Sequence, residues 1–195
     1  VATIGILLFD DVEELDAIGP WEVLAWWCAR SPDDGWAVTT FSHDGATVRC
    51  AKGLRVVPDH SDDTVPTLDV LLYPGGKGAR MRVDDEAEVA WVRDQRAKVP
   101  LLASVCTGSL VFAKAGLLAG RPATTHWASL DRLTELDPTI DVRRDDRFVD
   151  DGDVVTSAGI SAGIDMALHL VSRFAGPDRA RAVRRGIQYD PQPPV

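Results

Sequence analysis

The sequence predicts an α/β fold, a mostly parallel sheet with helices on both faces. Three observations predict it. Apolar runs of strand length, ATIGILLF (2–9), LDVLLYPGG (68–76) and PLLASV (100–105), lack the alternation of half-exposed strands, as expected for strands buried on both faces. Segments with helical spacing stand between them. No internal repeat or linker breaks the 195 residues, which read as a single domain over 1–195.

The elements follow in order. ATIGILLF is the first buried strand. WEVLAWWCAR (21–30) has helical spacing, with Pro20 suited to its first turn, where a missing N–H costs nothing. WAVTTFSH (36–43) reads as a second strand. ATVRC (46–50) and LRVVPDH (54–60) read as a strand pair around a Lys52-Gly53 turn. The run at 68–76 is a strand stopped by Pro74 and two glycines. DDEAEVAWVRDQRAK (84–98) is an amphipathic helix, acidic in its first turn and basic in its last, matching the helix dipole. PLLASV is a strand, and TGSLVFAKAGLLAG (107–120) a helix with a glycine stop. ATTHWASLDRLTEL (123–136) reads as a short strand into a helix. IDVRRDDRFVDDGDVVTSAG (140–159) carries a hairpin at Asp151-Gly152. ISAGIDMALHLVSRFAG (160–176) is a long apolar helix. PDRARAVRRGIQ (177–188) is a last helix leading into a Pro-rich end, YDPQPPV.

Composition excludes several function classes. The net charge is −9, which argues against a nucleic-acid surface, because phosphate binding needs clustered Lys and Arg. The one basic cluster, RARAVRR at 179–185, reads as a solvated helix face. No apolar run approaches the ~18–20 residues of a bilayer span, so no membrane partner is expected. The start, VATIGILLFDD, lacks the basic region of a signal peptide. Three cysteines, Cys28, Cys50 and Cys106, form neither a disulfide framework nor a zinc pattern. A cytoplasmic location is the expectation. Cys28 and Cys50 read as packing residues.

Cys106 differs by position. It ends the strand LLASV, at the edge where open α/β sheets bind ligands. A helix N-terminus follows, which is expected to lower the thiol pKa and favour a nucleophile. Ser104 and Gly108, two before and two after, meet the steric needs of a nucleophile elbow. A second corner, YPGGKG (73–78), ends another buried strand. Its Gly75 and Gly76 suit a backbone oxyanion site. A third, EELDAIGP, follows the first strand. There Asp16 reads either as a cap or solvated acid, or as a partly buried acid of raised pKa near the thiol.

Together the motifs LLFDDVEELDAIGPWEVL, LLYPGGKG, SVCTGSL, AGLLAGRPATTHWA and SAGISAGIDMALHL resemble the DJ-1/PfpI superfamily over essentially the whole chain. The resemblance implies a flavodoxin-like three-layer sandwich and a homodimer, with Trp26 and Trp27 a candidate surface unless they are buried within one subunit. SVCTGSL with ATTHWA is similar to the branch whose members hydrate isonitriles, which also holds the sensor domains of some AraC-type regulators. It implies a small-molecule substrate, no cofactor and no metal. By the same resemblance Cys106 matches the nucleophile, and Asp16 the acidic partner that many members have as Glu. Thr107 matches the residue that matters after the nucleophile, and Gly75 and Gly76 the oxyanion site. His126 lies where other members have a histidine near the cysteine; it could equally cap the following helix. Trp21, Trp127 and Ile160 are candidates to shape a small apolar pocket. PfpI-type peptidases place His directly after the nucleophile; Thr107 stands there, so a Cys-His protease dyad is not expected. The alternative function is a small-molecule or redox sensor. No basic helical segment follows within these residues, so the expectation is the enzyme branch.

Overall fold

The strands of the computed structural model, which describes residues 1–192, are β1 (Ala2–Leu7), β2 (Trp36–Ser42), β3 (Val48–Arg49), β4 (Arg55–Val56), β5 (His60–Ser61), β6 (Val70–Tyr73), β7 (Leu101–Val105), β8 (Pro122–Ala123), β9 (Asp141–Val142), β10 (Phe148–Asp150) and β11 (Val154–Ser157). The helices are α1 (Glu14–Arg30), α2 (Lys77–Arg82), α3 (Glu86–Lys98), α4 (Gly108–Lys114), α5 (Leu130–Leu136), α6 (Ala162–Ala175) and α7 (Pro177–Gly186). The central sheet has seven strands in the order β10-β11-β7-β6-β1-β2-β5, parallel except for the edge hairpin β10-β11. All of β6 and β7 is buried, which is why those runs do not alternate.

The chain leaves β1 for β2 on one side and returns to β6 on the other. That reversal opens a crevice at the carboxyl ends of β1 and β6, with β7 beside them. The three corners singled out by sequence follow those three strands. The Asp151-Gly152 hairpin forms as expected, with Gly152 at φ +84°. The Lys52-Gly53 turn joins β3 to β4.

Three expectations change, and a fourth, left open by the sequence, is narrowed. Helix α1 begins at Glu14, so Pro20 lies inside it and not in its first turn. Glu14, in the first turn, stabilises that earlier start through the helix dipole. Pro20 has no N–H for the Asp16 carbonyl one turn back. The helix expected over 107–120 ends at Lys114; Gly116 and Gly120 take positive φ and turn the chain. The strand expected over 54–60 breaks at Pro58 into β4 and the edge strand β5. Trp27 is fully buried and donates to Asp34 at 2.7 Å, and Trp26 packs on Gly186, so both are held within this chain. The last three residues of YDPQPPV lie outside the described residues. Among those described, no helix is long and apolar enough to cross a membrane, and no three His, Cys, Asp or Glu side chains gather as metal ligands do.

Candidate active site

Cys106 sits on the turn between β7 and α4 with φ +56°, a left-handed conformation that side chains rarely adopt. The surroundings fix it. Its N–H is shared between Ser157 O at 3.1 Å and Ala158 O at 3.2 Å. Its carbonyl accepts from Thr125 Oγ1 at 2.8 Å and Ser109 Oγ at 3.1 Å. Gly108 lets the turn press against the Tyr73 and Pro74 carbonyls, where a Cβ would collide. Strain of order 1–3 kcal/mol is kept here because these bonds over-determine the backbone.

Asp16 enters from the first turn of α1 and is fully buried. Its Oδ2 accepts the Gly75 N–H at 3.0 Å. Its Oδ1 is buried without a hydrogen-bond partner of good geometry among the described residues. Burial pushes Asp16 up to about 7, helped by the Glu13 charge and opposed by the Gly75 N–H, the Cys106 thiol and the Ile160 N–H. The acid is therefore the buried one of the two sequence readings.

Burial, then the Asp16 charge, pushes the Cys106 thiol up to about 12, against the N–H groups of Thr107 and Ile160. This reverses the expected lowering. A helix of seven residues does not offset burial and a carboxylate in contact. The two groups titrate as a pair. Between the two values the pair holds one proton, which Asp16 and Cys106 can exchange.

The glycine corner also works differently from the expectation. The Gly75 N–H is spent on Asp16, and the Gly76 N–H donates to Thr107 Oγ1 at 2.9 Å, so neither is free for an oxyanion. Thr107 Oγ1 in turn donates to Gly76 O at 3.1 Å. These glycines hold the acid and the elbow together. A Cβ at Gly75 would lie 2.5 Å from the Thr107 nitrogen. The groups that favour charge on the sulfur are the N–H groups of Thr107 and Ile160. Ile160 takes φ +51°, a second residue in the left-handed region.

His126 packs over Gly159, where any side chain would strike its ring. Its Nδ1 accepts the Ala128 N–H at 3.2 Å, which caps the turn 127–129. Burial lowers its pKa, and the Arg80 charge adds to this. Trp127 is 78% exposed and lies tilted beside His126, and Trp21 is also exposed. Sequence reasoning missed Arg80 and Glu13, whose charges reach the site.

The family model described as DJ-1/PfpI family matches residues 2–173. The chain belongs to the DJ-1/PfpI family. It is 42% identical over 191 residues to isonitrile hydratase of Pseudomonas putida, covering 98% of this chain and 80% of that one. It is 31% identical to the HTH-type transcriptional regulator GbdR of Pseudomonas aeruginosa, over 96% of this chain but 51% of the regulator. Among solved structures it is similar to a ThiJ/PfpI family protein from Pseudomonas syringae, with a TM-score of 0.88 and 30% identity over 100% of this chain and 77% of that one. The sandwich expected from sequence is the family's flavodoxin-like fold.

Proposed function

We propose that the protein hydrates an isonitrile, R–N≡C, to the N-substituted formamide, with Cys106 as nucleophile and Asp16 as proton shuttle. The observation that carries this reading is the buried Cys106–Asp16 pair, held by Gly75 and Thr107, in a chain 42% identical to an isonitrile hydratase. In the one-proton form, the Cys106 sulfur attacks the terminal isonitrile carbon. Asp16 delivers the proton to that carbon, giving a thioimidate, Cys–S–CH=N–R. The Asp16 carboxylate then takes a proton from water, whose oxygen adds to the same carbon. Nitrogen is protonated, the C–S bond breaks, and formamide leaves with the thiol restored. The N–H groups of Thr107 and Ile160, which oppose the rise of the thiol pKa, favour the charge that develops on sulfur. No step calls on a metal or cofactor.

The sensor reading is weaker. The regulator similarity spans about half of that relative's length. The test is formamide production from para-nitrophenyl isocyanide by wild type, Cys106→Ala and Asp16→Asn. The reading predicts turnover by wild type and losses of at least about a hundredfold in both variants. Turnover by Cys106→Ala, or none by wild type across several isonitriles, refutes it.

A further inference from the structure

We infer that Arg80 sets substrate specificity at this site by pairing with a carboxylate on the isonitrile's R group. This rests on the isonitrile reading above and names its substrate class. A cleft of about 300 Å³ lies over α4, floored by Leu110 and walled by Arg80, Val83 and Asp84 on one side and Ser129 and Arg132 on the other. The Leu110 N–H donates to Thr107 O at 3.2 Å, so the floor of the cleft is tied to the residue that follows the nucleophile.

Both walls are tied to the catalytic corner. The Arg80 N–H donates to Gly76 O at 3.3 Å, which puts Arg80 one turn above the loop that grips Thr107. On the other wall, the Ser129 N–H donates to His126 O at 2.7 Å. After burial, the Arg80 charge also lowers the His126 pKa.

The charges around the cleft are otherwise matched. Arg132 pairs with Glu135 at 3.2 Å, and Asp84 with Lys114 at 3.8 Å. Arg80 makes no ion pair and no side-chain hydrogen bond among the described residues. Its planar fork is thus the free donor at a cleft whose floor and near wall, Leu110 and Val83, suit a carbon skeleton. In a chain of net charge −9, a free guanidinium also offsets the repulsion an anionic substrate meets on approach.

The test compares 4-isocyanobenzoate with its methyl ester. The reading is the ratio of their kcat/KM values in wild type, Arg80→Gln and Arg80→Lys. The expected result is a wild-type preference for the carboxylate that falls about tenfold in Arg80→Gln, mostly through KM, and is partly kept by Arg80→Lys. A wild-type ratio near one, or a ratio that Arg80→Gln leaves unchanged, overturns the inference. If wild type hydrates neither compound, the isonitrile reading falls, and calorimetry with 4-formamidobenzoate and its methyl ester decides the anion site separately. Tighter binding of the acid that needs Arg80 supports it; equal binding overturns it.

Discussion

Thr107→Val is a sharp test of how the site is built. Valine keeps the shape of threonine and removes the hydroxyl that joins the elbow to the Gly75-Gly76 loop. In the wild type that hydroxyl accepts the Gly76 N–H at 2.9 Å and donates to Gly76 O at 3.1 Å, all of it buried. The carbonyl keeps a second donor, the Arg80 N–H at 3.3 Å. The N–H keeps none, and an orphaned buried donor costs about 1–3 kcal/mol. With the lost donation to the carbonyl, the total is roughly 2–3 kcal/mol, or about 4–12 °C in Tm for a chain of this size. Urea unfolding should show a lower midpoint with an unchanged m value. Thr107→Ser keeps the hydroxyl and should stay within about 1 kcal/mol of wild type. Because Gly75 of the same loop holds Asp16, turnover should fall in Thr107→Val more than in Thr107→Ser. Valine as stable as wild type, with serine the weaker variant, would show that methyl packing and not the hydroxyl matters.

Three further outcomes are expected. Asp16 has its folded pKa raised from 3.8 to about 7, so its contribution is fully present below about pH 4 and is lost as pH rises through 7, on the order of 4 kcal/mol in all. Asp16→Asn should flatten that slope in denaturation curves taken from pH 4 to 8, and an unchanged slope would assign it to other groups. Gly75→Ala places a methyl 2.5 Å from the Thr107 backbone and 2.8 Å from Asp16 Oδ2, so it should destabilise by roughly 1–3 kcal/mol and remove turnover, checked by thermal melts and product assay. His43 bridges Glu88 at 2.9 Å and Asp62 at 2.7 Å, and Glu88 above all raises its pKa to about 9. Its stabilisation should hold below about pH 6.5 and fade as pH passes 9, and His43→Gln should lose that alkaline limb in melts from pH 6 to 10.

What was legible in the sequence follows a physical line. Strands β1, β6 and β7 announce themselves because burial on both faces forces continuous apolar runs. The elbow at Cys106 shows because a strand end, small flanking residues and a helical pattern coincide there. The start of α1 was hidden because Gly19-Pro20 looks like a break, and only tertiary packing carries the helix through it. The Ile160 backbone donor was hidden because no local pattern marks a β-branched residue for positive φ; Gly159, which makes room for His126, was the nearest signal. The glycine N–H groups were assigned to a ligand when side chains 31 and 59 residues away in sequence claim them. The thiol pKa is not legible in the sequence because a helix terminus is visible there and burial beside a carboxylate is not.

The most direct measurement is intact-protein mass spectrometry during reaction with para-nitrophenyl isocyanide. Addition to the thiol incorporates the isonitrile whole, so the protein gains the full mass of the compound. The account predicts that mass in wild type quenched during turnover, located by peptide mapping on Cys106 and absent from Cys106→Ala. Formamide formed by wild type with no adduct on Cys106 under any condition, or an adduct that survives in Cys106→Ala, would contradict it.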